Sequence, residues 1–255
     1  MRRSVRKAIC AILAGTVCWG GGAIGQTEGD RPEGARRQVR VWDFEDAPDH
    51  GEPVPPGWFR AQDNPPLRER PRFPAWNIPI IDYQVANSGE FSVRLPTRGG
   101  STSLMLGSGV VAAIPDGDYA ISCMVRTEDL SSARVRMAAW FLDQNLVPIA
   151  GTESFSRMVI SPGMWSPLEL ELRGEPQAAW IQIELQLLQP RDQVSRRPHE
   201  DEVLSEDFRG AAWFDDVAIY QTPRVNLRSL MPGGIAVAPE EPQLAMLVRD
   251  LTGEP

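Results

Sequence analysis

Two stretches of the sequence carry flat aromatic rings next to amide, carboxylate and guanidinium groups. In residues 134–142 every second residue is apolar, which leaves Arg136 and Trp140 together on the opposite face of a predicted strand. In residues 178–188 the same alternation places these side chains on one face: Trp180, Gln182, Glu184 and Gln186. Sugars stack their CH-rich ring faces on indole and hydrogen-bond to planar polar side chains. These residues are therefore candidates for glycan contact.

Two further candidates, Trp58 and Trp76, lie in a proline-rich insertion at residues 47–81. A second insertion at residues 190–209 is charged and is predicted to face solvent. Long loops on a compact β fold are either functional or disordered. The alternative for Trp140 and Trp180 is that the two insertions cover them, so that both belong to a second small core.

Motifs for catalysis are missing from the sequence. It has two histidines and no His-Glu-x-x-His, Gly-x-Ser-x-Gly or Cys-x-x-Cys motif. Carboxylates are plentiful, but the sequence does not set the separation that a glycosidase pair requires. We therefore expect this segment not to be an enzyme.

The composition restricts both the fold and the partners. With 26 basic and 34 acidic residues, the formal net charge is −8, and the sequence lacks the clustered positive charge of a nucleic-acid-binding protein. A hydrophobic content of 42% excludes wholesale disorder. The 22 glycines and 23 prolines follow no period, which favours a turn-rich β protein.

Short alternating runs separated by turn residues predict an all-β fold. No 3.6-residue apolar period persists for three turns. This spacing favours a two-sheet β-sandwich, or jelly roll, over βαβ units. The predicted strands are 39–45, 91–95, 103–106, 110–114, 118–126, 134–142, 158–160, 166–172, 178–188 and 211–220.

The chain divides into four predicted regions. Residues 1–25 have the basic start, short apolar run and small-residue end of a signal peptide, so we expect export and no transmembrane anchor after cleavage. Residues 26–38 are a predicted disordered leader, and residues 39–223 are the sandwich. Residues 224–255 are a linker and the start of a further, truncated β-domain, because the apolar strand at 243–249 would otherwise lack a partner; the alternative is that this strand docks on the sandwich.

Four motifs carry a resemblance to a known family. They are Val41-Trp-Asp-Phe-Glu45, Gly57-Trp58, Asn87-Ser-Gly-Glu-Phe-Ser-Val-Arg-Leu95 and Gly210-Ala-Ala-Trp-Phe-Asp-Asp-Val-Ala-Ile219. In this order they resemble the CenC-like carbohydrate-binding modules, which have a galactose-binding-like jelly roll. The resemblance covers roughly residues 39–222, and its most specific part is the Trp-Phe-Asp-Asp-Val ending.

The resemblance also implies a structural calcium ion. Its ligands would be Glu45 and Asp215, with backbone oxygens near Ser88 and Gly89. Alternation predicts that Asp215 points into the core on the same side as Trp213 and Val217, and that Asp216 points to the opposite face. The alternative is that Asp215 caps a turn or pairs with an arginine.

Together these observations predict a non-catalytic carbohydrate-binding module of an exported, multidomain protein. The expected partner is a neutral polysaccharide or glycan. Loss of the first 25 residues would leave 22 basic against 34 acidic residues, which disfavours a polyanionic ligand. Two alternatives stay open: a structural or adhesive jelly roll that binds no sugar, and an accessory domain of a glycoside hydrolase whose catalytic domain follows residue 255.

Overall fold

The computed structural model describes residues 36–46, 54–60, 63, 70–193, 204–230 and 244–249. The predicted signal peptide, most of the predicted leader and residues 231–243 lie outside these described residues. Within the described ranges, no helix has the length and hydropathy that a membrane span requires.

The fold is all-β, with two antiparallel sheets that each contain six strands. The strands are, in chain order, β1 (Arg37–Trp42), β2 (Trp58–Phe59), β3 (Ile80–Asp82), β4 (Ser92–Pro96), β5 (Thr102–Leu106), β6 (Val111–Ala112), β7 (Asp118–Glu128), β8 (Arg134–Leu142), β9 (Ser154–Phe155), β10 (Ser166–Leu172), β11 (Trp180–Leu188), β12 (Ala211–Thr222), β13 (Arg224–Ser229) and β14 (Leu244–Arg249). A four-residue helix, α1 (Pro190–Gln193), follows β11.

Sheet A has the strand order β10-β7-β12-β4-β3, and β1 also pairs with β12. Sheet B has the order β2-β5-β11-β8-β9, and β6 also pairs with β11. These twelve strands belong to one compact unit. Strands β13 and β14 pair with each other in a separate two-stranded sheet, which lies almost wholly in a second unit.

The core lies between sheets A and B, and strand alternation supplies it. From sheet B, the inward residues of β8 and β11 are fully buried: Val135, Met137, Ala139, Phe141, Ile181, Ile183, Leu185 and Leu187. Sheet A contributes Tyr119, whose ring meets the Phe141 ring edge-on at 6.0 Å between centroids. Each aliphatic side chain buried in this way contributes roughly 1.5–3 kcal/mol to folding.

A buried cysteine belongs to the same core. Cys123 of β7 is 2% exposed, and burial raises the pKa of its thiol. It is the one cysteine in the described ranges. A thiol with a raised pKa and no access to solvent is a weak nucleophile, so Cys123 acts as a small apolar core residue.

The strands differ from the predicted ones where they are short or interrupted. Strand β1 ends at Trp42 rather than at residue 45, because Phe44 adopts a left-handed backbone with φ of 61°. Strands β2, β3 and β9 have two or three residues, too few for alternation to show in the sequence. The predicted strand at 158–160 is instead an isolated bridge between Val135 and Val159.

A bulge in β12 overturns the predicted direction of Asp215. The register with β7 shifts between Asp215 and Ala218, and Asp216 has φ of 50°. The extra residue breaks the alternation. Phe214 and Val217 are both core residues, so Asp215 does not share the side of Val217, but it is fully buried, as predicted.

Candidate functional site

Strands β8 and β11 are hydrogen-bonded neighbours in sheet B, with Trp140 opposite Gln182 and Arg136 opposite Gln186. The inward residues of both strands fill the core, so the alternate residues share the outer face of sheet B. Five of the predicted candidates therefore meet on this face: Arg136, Trp140, Trp180, Gln182 and Glu184.

Three side chains of β11 on this face form a buried polar row: Gln182, Glu184 and Gln186, each 2–3% exposed. The Ser108 hydroxyl donates to Gln182 Oε1 at 2.8 Å, and Gln182 Nε2 donates to the Leu106 carbonyl. Gln186 Nε2 donates to Glu184 Oε2 at 2.6 Å. Because every member has a partner, the row is oriented before any ligand arrives.

Two arginines complete the polar row from opposite sides. Arg136 Nε donates to Gln186 Oε1 at 2.7 Å. Arg70 forms an ion pair with Glu184, and its guanidinium lies 3.8 Å from the ring centroid of Phe73. Burial lowers the pKa of the Arg136 guanidinium, while the Glu184 carboxylate acts in the opposite direction. The Glu184 charge is thus compensated by cations within the protein.

Three aromatic rings flank the polar row and reach solvent; we call Trp140, Phe155 and Trp180 the aromatic strip. Trp140 and Trp180 are half-buried, and Phe155 is 52% exposed. Phe155 of β9 faces Ala138 of β8, which places its ring between Arg136 and Trp140 along the outer face. The Arg136 guanidinium lies 4.3 Å from the Phe155 ring centroid. The strip offers flat apolar surface beside oriented polar groups.

The other two predicted tryptophans lie elsewhere. Trp58 is 4% exposed in the core and contacts the ring of Trp42 edge-on at 5.6 Å, which corrects the prediction that it contacts a glycan. Trp76 is 64% exposed, and its Nε1 donates to the Arg98 carbonyl at 3.4 Å. Arg98 is next to Thr97, whose hydroxyl accepts a hydrogen bond from Gln189, the residue directly after the end of β11. Trp180 is the first residue of β11 and so lies at the other end of that strand. Trp76 is therefore at the opposite end of sheet B from Trp180.

Two residues of this face, Arg70 and Phe155, were not predicted as part of the site. Arg70 comes from an insertion without periodicity, so nothing in the sequence linked it to Glu184. Phe155 occupies a two-residue strand. In the sequence, Ser154-Phe155-Ser156 alternates polar and apolar residues over only three positions, which is too short to assign to a sheet.

One carboxylate is present on the strands that line this face. Strands β5, β8 and β11 contain Glu184 and no other acidic residue. Glu184 is paired with Arg70 and accepts a hydrogen bond from Gln186.

The two predicted calcium ligands, Glu45 and Asp215, both contact the segment 87–91. Glu45 Oε1 accepts from the backbone N–H groups of Glu90 at 2.9 Å and Phe91 at 3.0 Å. Asp215 Oδ2 accepts from the backbone N–H groups of Asn87 at 2.7 Å and Ser88 at 3.2 Å. Both carboxylates therefore anchor one segment through its amides.

Asp216 acts on the same segment as Asp215, contrary to the prediction that the two point apart. Its carboxylate accepts from Asn87 Nδ2 at 2.7 Å and from the Ser88 hydroxyl at 2.6 Å. The bulge that gives Asp216 its left-handed backbone makes this possible. Burial raises the pKa of Asp215 to about 6, against the opposing effect of the hydrogen bonds from Asn87, Ser88 and Asp216.

The described contacts of these two carboxylates are made by N–H groups of the protein. A calcium ion takes six to eight oxygen ligands, and here Glu45 Oε1 and Asp215 Oδ2 accept from N–H donors. Among the described residues, no group of three or more His, Cys, Asp or Glu side chains is placed to hold a metal ion. The backbone N–H groups compensate the buried charge of Asp215, which is the role that the family resemblance gives to a calcium ion. Calcium binding stays a prediction of the resemblance.

Comparison with protein-family models finds no match. Comparison with curated proteins finds no match either. Among solved structures, the chain is similar to the CBM22-1 xylan-binding domain from Paenibacillus barcinonensis Xyn10C, at 15% identity and a TM-score of 0.43 over 74% of this chain and 96% of that one.

Two larger proteins are also similar in part. One is the Clostridium thermocellum endo-1,4-beta-D-xylanase 10B, with CBM22-1 and GH10 modules, at 12% identity and a TM-score of 0.44 over 72% of this chain. The other is the enzymatically active domain of bacteriophage CBA120 tailspike protein 4, at 13% identity and a TM-score of 0.41 over 56% of this chain. The chain spans 28% of the xylanase and 17% of the tailspike. Similarity at this level does not indicate a ligand or an activity for this chain.

Proposed function

We propose that the sandwich is a non-catalytic carbohydrate-binding module of an exported, multidomain protein and that it binds a neutral glycan along the aromatic strip. The observation that carries this proposal is the position of Trp140, Phe155 and Trp180 beside the buried polar row. Rings would stack on the faces of sugar residues, and the Arg136 guanidinium would donate hydrogen bonds to the oxygens of hydroxyl groups.

The charge balance supports a neutral ligand. The chain has 34 acidic and 26 basic residues, so a polyanionic glycan would approach against the overall field. On the outer face of sheet B, Glu184 is neutralised by Arg70. Export and a further β-domain after residue 224 are expectations of the sequence that form part of this proposal.

Binding to soluble polysaccharides tests the proposal. Isothermal titration and affinity electrophoresis would use xylan, a mixed-linkage β-glucan and a galactomannan, with a sulfated polysaccharide as the polyanionic control. We expect binding to at least one neutral polymer and none to the sulfated one. Absence of binding across the neutral panel, with a cooperative thermal melt retained, would overturn the proposal.

A structural module that binds no sugar is the second candidate. The observation that favours it is the buried polar row, whose members already have protein partners and need no ligand. The two candidates differ in what replacement of Trp140 changes. Glycan affinity falls in the first, and only the free energy of unfolding falls in the second.

A further inference from the structure

A cavity of about 570 Å³ lies in the connection between β3 and β4, away from the aromatic strip. Its lining residues are Tyr83, Gln84, Ala86, Gly89, Glu90 and Phe91. Strands β3 and β4 belong to sheet A, whereas the aromatic strip belongs to sheet B. The two places are therefore on different sheets of the sandwich. A volume of this size is within the range of small-molecule sites, roughly 300–1,000 Å³.

The wall of the cavity at residues 87–91 is fixed from behind. Glu45 holds the amides of Glu90 and Phe91, and Asp215 holds those of Asn87 and Ser88. A Cβ atom at Gly89 would lie 2.2 Å from Glu45 Oε1, and φ at Gly89 is +59°, so glycine lets the carboxylate lie against the backbone without being displaced. The wall is held in place by hydrogen bonds that do not involve a ligand. A preformed wall lowers the entropic cost of binding.

The lining offers one aromatic ring and several planar polar groups. Tyr83 is 56% exposed, and its ring meets the Phe91 ring edge-on at 5.3 Å, which fixes its orientation. Gln84 and Glu90 supply an amide and a carboxylate, and both are exposed. None of the six lining residues is cationic, which disfavours an anionic ligand. The open polar rim disfavours a purely apolar one.

We propose that this cavity is a second saccharide site, which takes one neutral sugar residue or the end of a short oligosaccharide. The sugar ring stacks on Tyr83, and its hydroxyl groups bond to Gln84 and Glu90. The site is independent of the aromatic strip, because it shares no residue with it. It also gives Glu45 and Asp215 a role without a metal ion: they hold the wall of the site.

The test is a titration of the 15N-labelled protein, observed by 1H–15N NMR, with D-glucose, D-galactose, D-xylose and their β-1,4-linked disaccharides up to 20 mM. We expect shifts that saturate for the amides of residues 83–91. Tyr83→Ala should weaken the affinity at least tenfold, and Tyr83→Phe, which keeps the ring, less than threefold. Phe208→Ala replaces an exposed ring outside the site and should leave the affinity unchanged.

Three outcomes would overturn this inference. The first is that no sugar shifts residues 83–91. The second is that shifts are confined to β8, β9 and β11, which would support the aromatic strip alone. The third is an affinity that Tyr83→Ala leaves unchanged. If Tyr83→Ala does not fold, Gln84→Ala and Glu90→Gln replace exposed side chains and should each weaken the affinity.

Discussion

Trp140 of β8 lies directly opposite Gln182 of β11 on the outer face of sheet B. Facing residues of an antiparallel pair have Cβ atoms about 5 Å apart, so the indole and the amide act on the same patch of surface. Gln182 is held by the Leu106 carbonyl and the Ser108 hydroxyl. A sugar that stacks on Trp140 therefore meets a neighbourhood whose polar groups are already oriented.

Replacement of Trp140 or Trp180 by alanine should weaken glycan affinity at least tenfold, or about 1.4 kcal/mol. The reason is loss of stacking surface on the aromatic strip. Isothermal titration against the polysaccharide that binds best measures the effect. Trp76→Ala is the matched control, because Trp76 is exposed at the other end of sheet B, and it should leave the affinity unchanged.

Two results would contradict this prediction. Equal losses in Trp140→Ala and Trp76→Ala would move the site away from the aromatic strip. Unchanged affinity with a lower free energy of unfolding would make Trp140 and Trp180 part of a small core under the loops, as the structural alternative requires.

Arg70→Ala should destabilise the fold by about 2 kcal/mol. The variant leaves Glu184, whose side chain is 4% exposed, without its cation, and the 26% exposure of Arg70 moderates the loss. Urea unfolding monitored by fluorescence measures it. The double variant Arg70→Ala/Glu184→Gln should recover part of the loss, because an amide is cheaper to bury than a carboxylate. Equal losses in both variants would assign the effect to the packing of Arg70 on Phe73.

The free energy of unfolding should rise as the pH falls from about 6 towards 4, because Asp215 takes up a proton in this range. Its pKa in the folded state, about 6, is above the ordinary value of 3.8, so the folded protein binds the extra proton in this range. The difference corresponds to about 3 kcal/mol. Chemical unfolding at several pH values, in buffer with a chelator, measures the slope.

Asp215→Asn is the control for the pH effect, because it removes the titrating group and keeps the shape of the side chain. The stability of this variant, relative to the native protein, should therefore rise between pH 4 and 6 and be constant above pH 6. Parallel curves for the two proteins over the whole range would show that Asp215 does not titrate there.

Gly89→Ala should cost about 1–2 kcal/mol more than Gly163→Ala. Both glycines have positive φ, 59° and 69°, so both variants incur the left-handed backbone penalty. Only at Gly89 would the new methyl group meet an obstacle, the Glu45 carboxylate, because nothing lies within 4 Å of the Cβ position at Gly163. Thermal melts of the two variants give the comparison, and equal costs would mean that Glu45 moves aside freely.

A chelator should leave the melting temperature unchanged. Glu45 Oε1 and both carboxylate oxygens of Asp215 already accept from backbone N–H groups, which compensates these charges without an ion. Melts with EDTA and with 2 mM calcium chloride make the measurement, with magnesium chloride as the control for ionic strength. A calcium-specific rise of several degrees would restore the ion that the family resemblance implies.

The long strands of the fold were predictable because their alternation is local. In β8 and β11 the pattern correctly separates Met137 and Ile183, which are buried in the core, from Trp140 and Gln182 on the outer face. That the two strands are neighbours was not predictable, because pairing depends on residues far apart in the chain.

The errors of prediction have physical causes of the same kind. Asp215 points away from the predicted side because a bulge, centred on a non-glycine residue with positive φ, leaves no mark in the apolar pattern. Trp58 lies in the core because β2 pairs with β5, a long-range contact made by two residues. Arg70 reaches Glu184 across 114 positions of sequence.

The burial of Cys123 has a practical consequence for experiments on this protein. In a chain that starts at Gln26 it is the sole thiol, and it lies in the core with a raised pKa. A maleimide dye or spin label should therefore react only with a cysteine introduced at the surface. Single labels introduced at exposed positions such as 76 and, in separate samples, 208 could then be attached without first replacing a native cysteine.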